Sequence, residues 1–182
     1  MEDDELYRRF LNGDAESFDR LMIKYGNNLV CYLKGYLRSM EDAEDLMMEA
    51  FASIMARKPR ISAGNFKSYL FRVGHNMICH HYRKEKRLEV FSLEDIDDEF
   101  ADGERFEDKL LNDEKKKALH SCIGRLAPEL RDIVWLIYFE KMRYDEVAQI
   151  MSISKKKVDN LLTKAKGILR EELKKEGIEG AY

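Results

Sequence analysis

Residues 144–169, YDEVAQIMSISKKKVDNLLTKAKGIL, constrain the fold of this chain more than any other stretch. Apolar residues recur there at helical spacing on both sides of a short polar break. Val147 and Ala148 lie on a first helix, and Ile153 marks a turn. Val158, Leu161, Leu162, Ala165, Ile168 and Leu169 form the stripe of a second helix. Ala148 is small enough to let the two helices approach closely, and Val158 can pack against it. Ser154 is placed to cap the second helix, and Lys155, Lys156 and Lys157 follow at once. Ser152 stands where such a turn usually wants glycine, so a positive φ there carries a cost. The pattern is a helix-turn-helix with cations at a helix N-terminus, where DNA phosphates or base edges could lie. A helical hairpin with a solvated basic end fits the same residues.

The rest of the chain reads as helical too. Only two prolines interrupt 182 residues, and alternating β-branched runs are few. Hydrophobic content of 45% is enough for a core, and 182 residues allow two small domains or one medium domain. The longest apolar run, Ile133 to Phe139, is too short to cross a bilayer, so no direct membrane insertion is expected. The opening MEDDELYRRF is acidic and lacks an apolar signal region. Cys31, Cys79 and Cys122 are widely spaced, which suits a reducing cytoplasm rather than a disulfide framework or a zinc site.

The net charge of −3 conceals a division. Residues 1–90 hold 15 Lys/Arg and 14 Asp/Glu; residues 91–114 hold 2 and 11; residues 115–182 hold 15 and 10. An acidic segment separates a nearly neutral N-terminal part from a basic C-terminal part. Local charge sets a nucleic-acid footprint, so a low overall pI does not exclude DNA.

Four helices are expected before residue 90. Glu2 to Leu11 is a short amphipathic one, and Asp14 caps the next after an Asn12-Gly13 turn. Its apolar face is Phe18, Leu21, Met22, Tyr25, Leu29, Tyr32, Leu33 and Tyr36. Ser39-Met40-Glu41-Asp42 opens a third in capping-box style. The core stripe of that helix is Ala43, Leu46, Met47, Ala50, Phe51, Ile54 and Met55. After a 58–65 loop, a fourth runs from Phe66 to Arg87. Residues 91–107 read as linker, and helical periodicity resumes near Phe106 and continues to Leu126. Ala127-Pro128-Glu129 starts a helix from Leu130 to Phe139, whose Ile133, Val134, Leu136 and Ile137 pack beneath the helix-turn-helix.

No catalytic constellation stands out, and neither a Gly-rich phosphate loop nor a nucleophile elbow is present. Cys79 lies near His75, His80 and His81 on the fourth helix, without a carboxylate pair at metal-ligand spacing; no metal and no cofactor are expected. On that helix Tyr69, Phe71, His75, Asn76, His80, His81 and Tyr82 interleave with Arg72, Arg83, Lys84, Lys86 and Arg87. Ring planes can stack on unpaired bases while cations hold the backbone, and Asn76 could read a base edge. Equally, Phe71 and Tyr82 could be core and the basic end merely solvated. The third helix is the opposite: Glu41, Asp42, Glu44, Asp45 and Glu49 crowd around Met47 and Met48. Carboxylates with adaptable Met groups suit a basic protein partner better than DNA; a solvated acidic face is the plain alternative.

Taken together, EDAEDLMMEAF, FKSYLFRVGHNMICHHYRKEKR and LAPELRDIVWLIYFEKMRYDEVAQIMSISKKKVDNLL resemble a bacterial sigma factor of the extracytoplasmic-function group. The resemblance covers nearly the whole chain outside the linker, and the order of three motifs makes it specific. It implies an all-α chain of two small helical domains joined by an acidic linker, the C-terminal one a helix-turn-helix. Residues 1–90 would be sigma region 2, which melts and reads the −10 element and binds core polymerase; 91–114 the linker; 115–182 sigma region 4, which reads the −35 element. It implies that Asp45, Leu46, Met48, Glu49 and Phe51 lie on the helix gripping RNA polymerase core. It implies that Asn76, His80, His81, Arg83 and Lys84 face the melted strand, with the 58–66 loop nearby. It places Lys155, Lys156, Lys157, Asp159, Asn160, Thr163 and Lys164 toward the −35 promoter DNA. The chain departs from the family's usual glutamine at Met48, aspartate at His80, tryptophan at Tyr69 and Thr-Val at Lys157-Val158. An anti-sigma protein is the further expected partner, and the chain itself is not expected to be an enzyme. Two alternatives stand: a plain helix-turn-helix regulator, and a sigma-like decoy that sequesters an anti-sigma protein.

Overall fold

Short-range hydrogen bonds set where the helices begin and end. The computed structural model describes residues 2–37, 39–85 and 113–177, with side chains for 2–37, 39–81 and 117–177. Helix α1 (Glu2–Leu11) has acidic residues in its first turn and Arg8 and Arg9 in its last, complementing its dipole. Gly13, at φ 105°, makes the turn that only glycine adopts cheaply. Asp14 then caps α2 (Ala15–Lys34), accepting from the Ser17 amide at 3.3 Å and its hydroxyl at 2.7 Å. Ser39 caps α3 (Met40–Arg57), accepting from the Asp42 amide at 3.0 Å. Lys58 ends α3 in a left-handed conformation, and α4 (Phe66–Glu85) follows the loop.

These four helices form the first of two compact units. Its core is aromatic: Phe18 meets Phe10 at 4.4 Å between ring centroids and Phe51 edge-on at 5.9 Å, and Phe66 at 6.5 Å. Each such fully buried ring contributes roughly 1.5–3 kcal/mol. The expected α2 stripe is buried at Phe18, Leu21, Tyr25, Leu29, Tyr32 and Leu33. On α3, Ala43, Ala50, Phe51 and Ile54 are buried, but Met55 is not; it is 43% exposed. Gly74 lets α4 lie close on α2, since a Cβ there would sit 2.9 Å from Leu29 Cδ1.

Helix α1 holds the α3–α4 loop. The Tyr7 hydroxyl donates to the Pro59 carbonyl at 2.7 Å, and the Gly64 amide donates to Asp4 Oδ1 at 2.7 Å. Burial pushes the Tyr7 phenol up to about 12, so it stays a donor. Lys24 closes the other side with a 2.6 Å bond to Asp3.

The second unit comprises α5 (Asp113–Gly124), α6 (Pro128–Val134), a π-helical turn (Trp135–Phe139), α7 (Tyr144–Met151) as far as Ala148, and α8 (Lys155–Lys175). Pro128 sits in the first turn of α6, where its missing N–H costs nothing. Cys122, Ile123, Leu126, Leu130, Val134, Ala165, Leu169 and Leu173 form its core. One helix from Leu130 to Phe139 was the expectation; instead the chain changes to π geometry at Trp135. There the rings of Trp135 and Phe139 stack at 4.5 Å and 6°. Ile133, Val134 and Leu136 are buried as expected, and Ile137 is half-buried. Three charged residues nearby, Arg131, Asp132 and Glu140, are buried as well, against their hydropathy. All regular structure among the described residues is helical. The linker and the helical resumption near Phe106 lie outside the described residues, as do the last two expected residues of α4.

Candidate nucleic-acid interface

The turn between α7 and α8 is built as its residue types require. Ser152 takes φ 54° and ψ 44°, and its amide donates to the Ala148 carbonyl. Ala148 and Val158 are both buried. Ser154 Oγ accepts from the Lys157 amide at 3.2 Å, which starts α8 one residue later. The 3.6-residue repeat then separates two faces. Val158, Leu162, Ala165 and Leu169 are buried; Lys155, Lys156, Lys157, Asp159, Asn160, Thr163 and Lys164 are exposed. Two contacts were not legible in the pattern. Lys157 Nζ pairs with Glu129 Oε1 of α6 at 3.1 Å. Lys166 Nζ lies 5.6 Å from the centre of the Tyr138 ring, and hydrogen bonding to Tyr138 raises the Lys166 pKa.

In the first unit the expected stacking set on α4 divides. Phe71 is fully buried with its ring 5.6 Å from that of Tyr32, so it is core. His75 Nδ1 lies 2.9 Å from the Tyr32 hydroxyl and Nε2 lies 3.4 Å from Cys79 Sγ. Burial depresses its pKa below the usual imidazole value. A ring held in this way is a structural bridge between α2 and α4, and cannot swing out onto a base. Asn76, His80 and His81 are exposed, four and five residues apart along one face. Arg83, Lys84 and Tyr82 lie on the last turns of α4, with side chains outside the described residues.

Asn76, His80 and His81 border a cleft of about 580 Å³ between α3 and α4. Tyr69, Val73 and Met77 complete its α4 wall; Leu46, Glu49, Ser53, Ile54 and Arg57 form the α3 wall. A shallower recess of about 210 Å³ adjoins it, lined by Asp42, Asp45, Leu46, Glu49 and His81 among others. The cleft is therefore acidic toward Asp45 and Glu49 and carries a guanidinium, Arg57, among its lining residues. Asp45, Met48 and Glu49 are exposed, Met48 at 50%, and Leu46 is half-buried. Phe51 is different: it is fully buried, so it anchors α3 rather than presenting itself to a partner. Met55, seven residues from Met48, joins the exposed strip instead. Its helical offset from Met48 is the signal that would have found it.

Comparison with known proteins agrees with this architecture. The chain matches Sigma-70 region 2 over residues 21–88 and Sigma-70, region 4 over residues 116–169. It is 26% identical over 164 residues to RNA polymerase sigma-H factor of Pseudomonas aeruginosa, covering 82% of each chain. It is 27% identical over 150 residues to the ECF RNA polymerase sigma factor BldN of Streptomyces coelicolor, covering 81% of this chain and 56% of that protein. The fold is that of the sigma factor RpoE from Bartonella quintana, solved with the anti-sigma factor NepR. The TM-score is 0.69, the identity 17%, and the match covers 88% of this chain and 98% of that one. No described helix is long and apolar enough to cross a membrane. With both sigma regions present in order on a chain whose described regular structure is helical, the protein belongs to the sigma-70 family, as a sigma factor of the extracytoplasmic-function group that directs RNA polymerase to promoters.

Proposed function

We propose that this sigma factor reads a promoter at two places. Residues 1–90 serve the −10 element and the docking of core polymerase, 115–182 serve the −35 element, and the acidic 91–114 segment connects them. The observation that carries this is the two-faced α8. Every polar residue assigned to the −35 element is exposed, while Val158, Leu162 and Ala165 pack the opposite face. Such a helix can enter a major groove without unfolding its own core.

The α3–α4 cleft supports the −10 assignment. A single unstacked base costs a few kcal/mol to extrude, and stacking returns roughly 1–3 kcal/mol. Tyr69, His80 and His81 supply ring planes, and the Asn76 amide can pair with an adenine edge. Asp45, Leu46, Met48 and Glu49 present acid and adaptable thioether to polymerase. An anti-sigma protein is the further partner we infer, on the analogy of the Bartonella quintana protein solved with one. The factor works in the cytoplasm and catalyses nothing itself; polymerase performs the chemistry.

Run-off transcription with purified core polymerase and genomic promoter fragments tests this. Discrete transcripts that require the added chain are expected. Capture of an anti-sigma protein without any promoter-dependent transcript would overturn it in favour of a decoy.

A further inference from the structure

Glu129 and Lys157 stand on different helices, yet their side chains meet. Glu129 belongs to the first turn of α6 and Lys157 to the first turn of α8. The carboxylate oxygen lies 3.1 Å from the ammonium, and both side chains remain about half exposed, at 54% and 50%. The Lys157 backbone is fixed as well, since its amide donates to Ser154 Oγ at 3.2 Å. Otherwise a lysine is a point charge on a flexible four-carbon stem, able to reach whichever phosphate is nearest. The carboxylate restricts that choice.

We propose that Glu129 is a specificity-determining residue for −35 recognition, aiming the Lys157 ammonium at a base acceptor and withholding it from phosphates. The inference rests on the assignment of α8 to the −35 element. An ammonium has three donors, so Lys157 can keep its bond to Glu129 while giving another to a guanine O6 or N7 in the groove. Reaching out to a phosphate instead breaks the pair. An unspecific complex, which is held by phosphates, therefore bears the loss of the ion pair, and the specific complex does not. Glu129 acts as a positioning residue, since it works through Lys157.

The experiment uses holoenzyme assembled on core polymerase. The probes are a genomic fragment that supports run-off transcription and the same fragment with its −35 segment scrambled. Affinities are measured at two salt concentrations for the parent chain, Glu129→Gln, Lys157→Ala and the double variant. Trp135 fluorescence melts confirm that each second unit is folded. Glu129→Gln is expected to tighten binding to the scrambled fragment roughly two- to fivefold at low salt. Its salt slope should steepen by about one. Affinity for the intact fragment should not improve, so the discrimination ratio falls. In the Lys157→Ala background the same substitution should do nothing. If Lys157→Ala weakens binding but Glu129→Gln leaves the ratio unchanged, Glu129 is idle and the inference is wrong. An equal Glu129→Gln effect without Lys157 would mean that the carboxylate repels phosphate directly, which also overturns the aiming. If Lys157→Ala changes nothing either, the −35 assignment of Lys157 itself fails.

Discussion

Ser152 holds a left-handed backbone, φ 54°, at the point where α7 turns into α8. A Cβ is disfavoured there by roughly 1–2 kcal/mol, and glycine removes that cost while adding freedom to the unfolded chain. Ser152→Gly is therefore expected to stabilise the second unit by about 0.5–1 kcal/mol. The chain has one tryptophan, Trp135, within that unit, so its fluorescence during urea unfolding reads the change. A midpoint that stays or falls would contradict it. His75 gives the first unit a pH dependence whose sign follows from its environment. Burial lowers its folded pKa below the ordinary 6.5. The unfolded chain thus takes up the proton first as pH falls, and stability declines from about pH 6.5 down to the folded pKa. Above that window the group contributes no pH dependence. Amide protection factors of α2 and α4, corrected for the intrinsic slowing of exchange, should fall from pH 7.5 to 5.5, and His75→Gln should flatten the difference. An unchanged difference would exclude His75 as its source.

At the scale of the element, α3 separates two kinds of residue that the sequence groups together. Asp45 and Glu49 face outward, and charges at the rim of an interface set association rate and specificity. Asp45→Arg with Glu49→Arg should abolish capture of core polymerase while leaving the helical circular-dichroism signal intact. Phe51 faces inward against Phe18, and Phe51→Ala should cost about 3–5 kcal/mol by opening a cavity. Polymerase capture by that variant should fail only in proportion to the unfolded fraction. Undiminished capture by the charge-reversed chain would remove α3 from the polymerase interface.

Across the whole molecule the charge distribution becomes a mechanism. Residues 91–114 hold eleven acidic and two basic side chains between two segments rich in cations. If those carboxylates compete with DNA phosphates for the cations of residues 155–157 and 83–87, the effect is strongest at low salt. Neutralising Asp95, Asp97, Asp98 and Glu99 to Asn or Gln should raise the affinity of the free chain for duplex promoter DNA, more at low salt than at high. Fluorescence anisotropy at two salt concentrations measures it. Equal affinities of the parent and substituted chains at each salt concentration would leave the segment a passive spacer.

Helical periodicity and the caps Asp14, Ser39 and Ser154 depend on neighbours within four residues, so the sequence alone determined the helices and the buried face of α8. The three ordered motifs determined the family in the same way. What the tertiary structure alone decided are contacts between residues far apart in the chain. His75 and Phe71 carry the same amphipathic signal as His80 and His81, and only packing against Tyr32 shows that they belong to the interior. Met55 continues the α3 stripe in sequence, yet the core ends one helical face before it. The π turn at Trp135 arises where two rings stack along the chain, and no local propensity announces it. Lys157 and Glu129 are 28 residues apart, and their pairing exists only because α6 and α8 bring their first turns together.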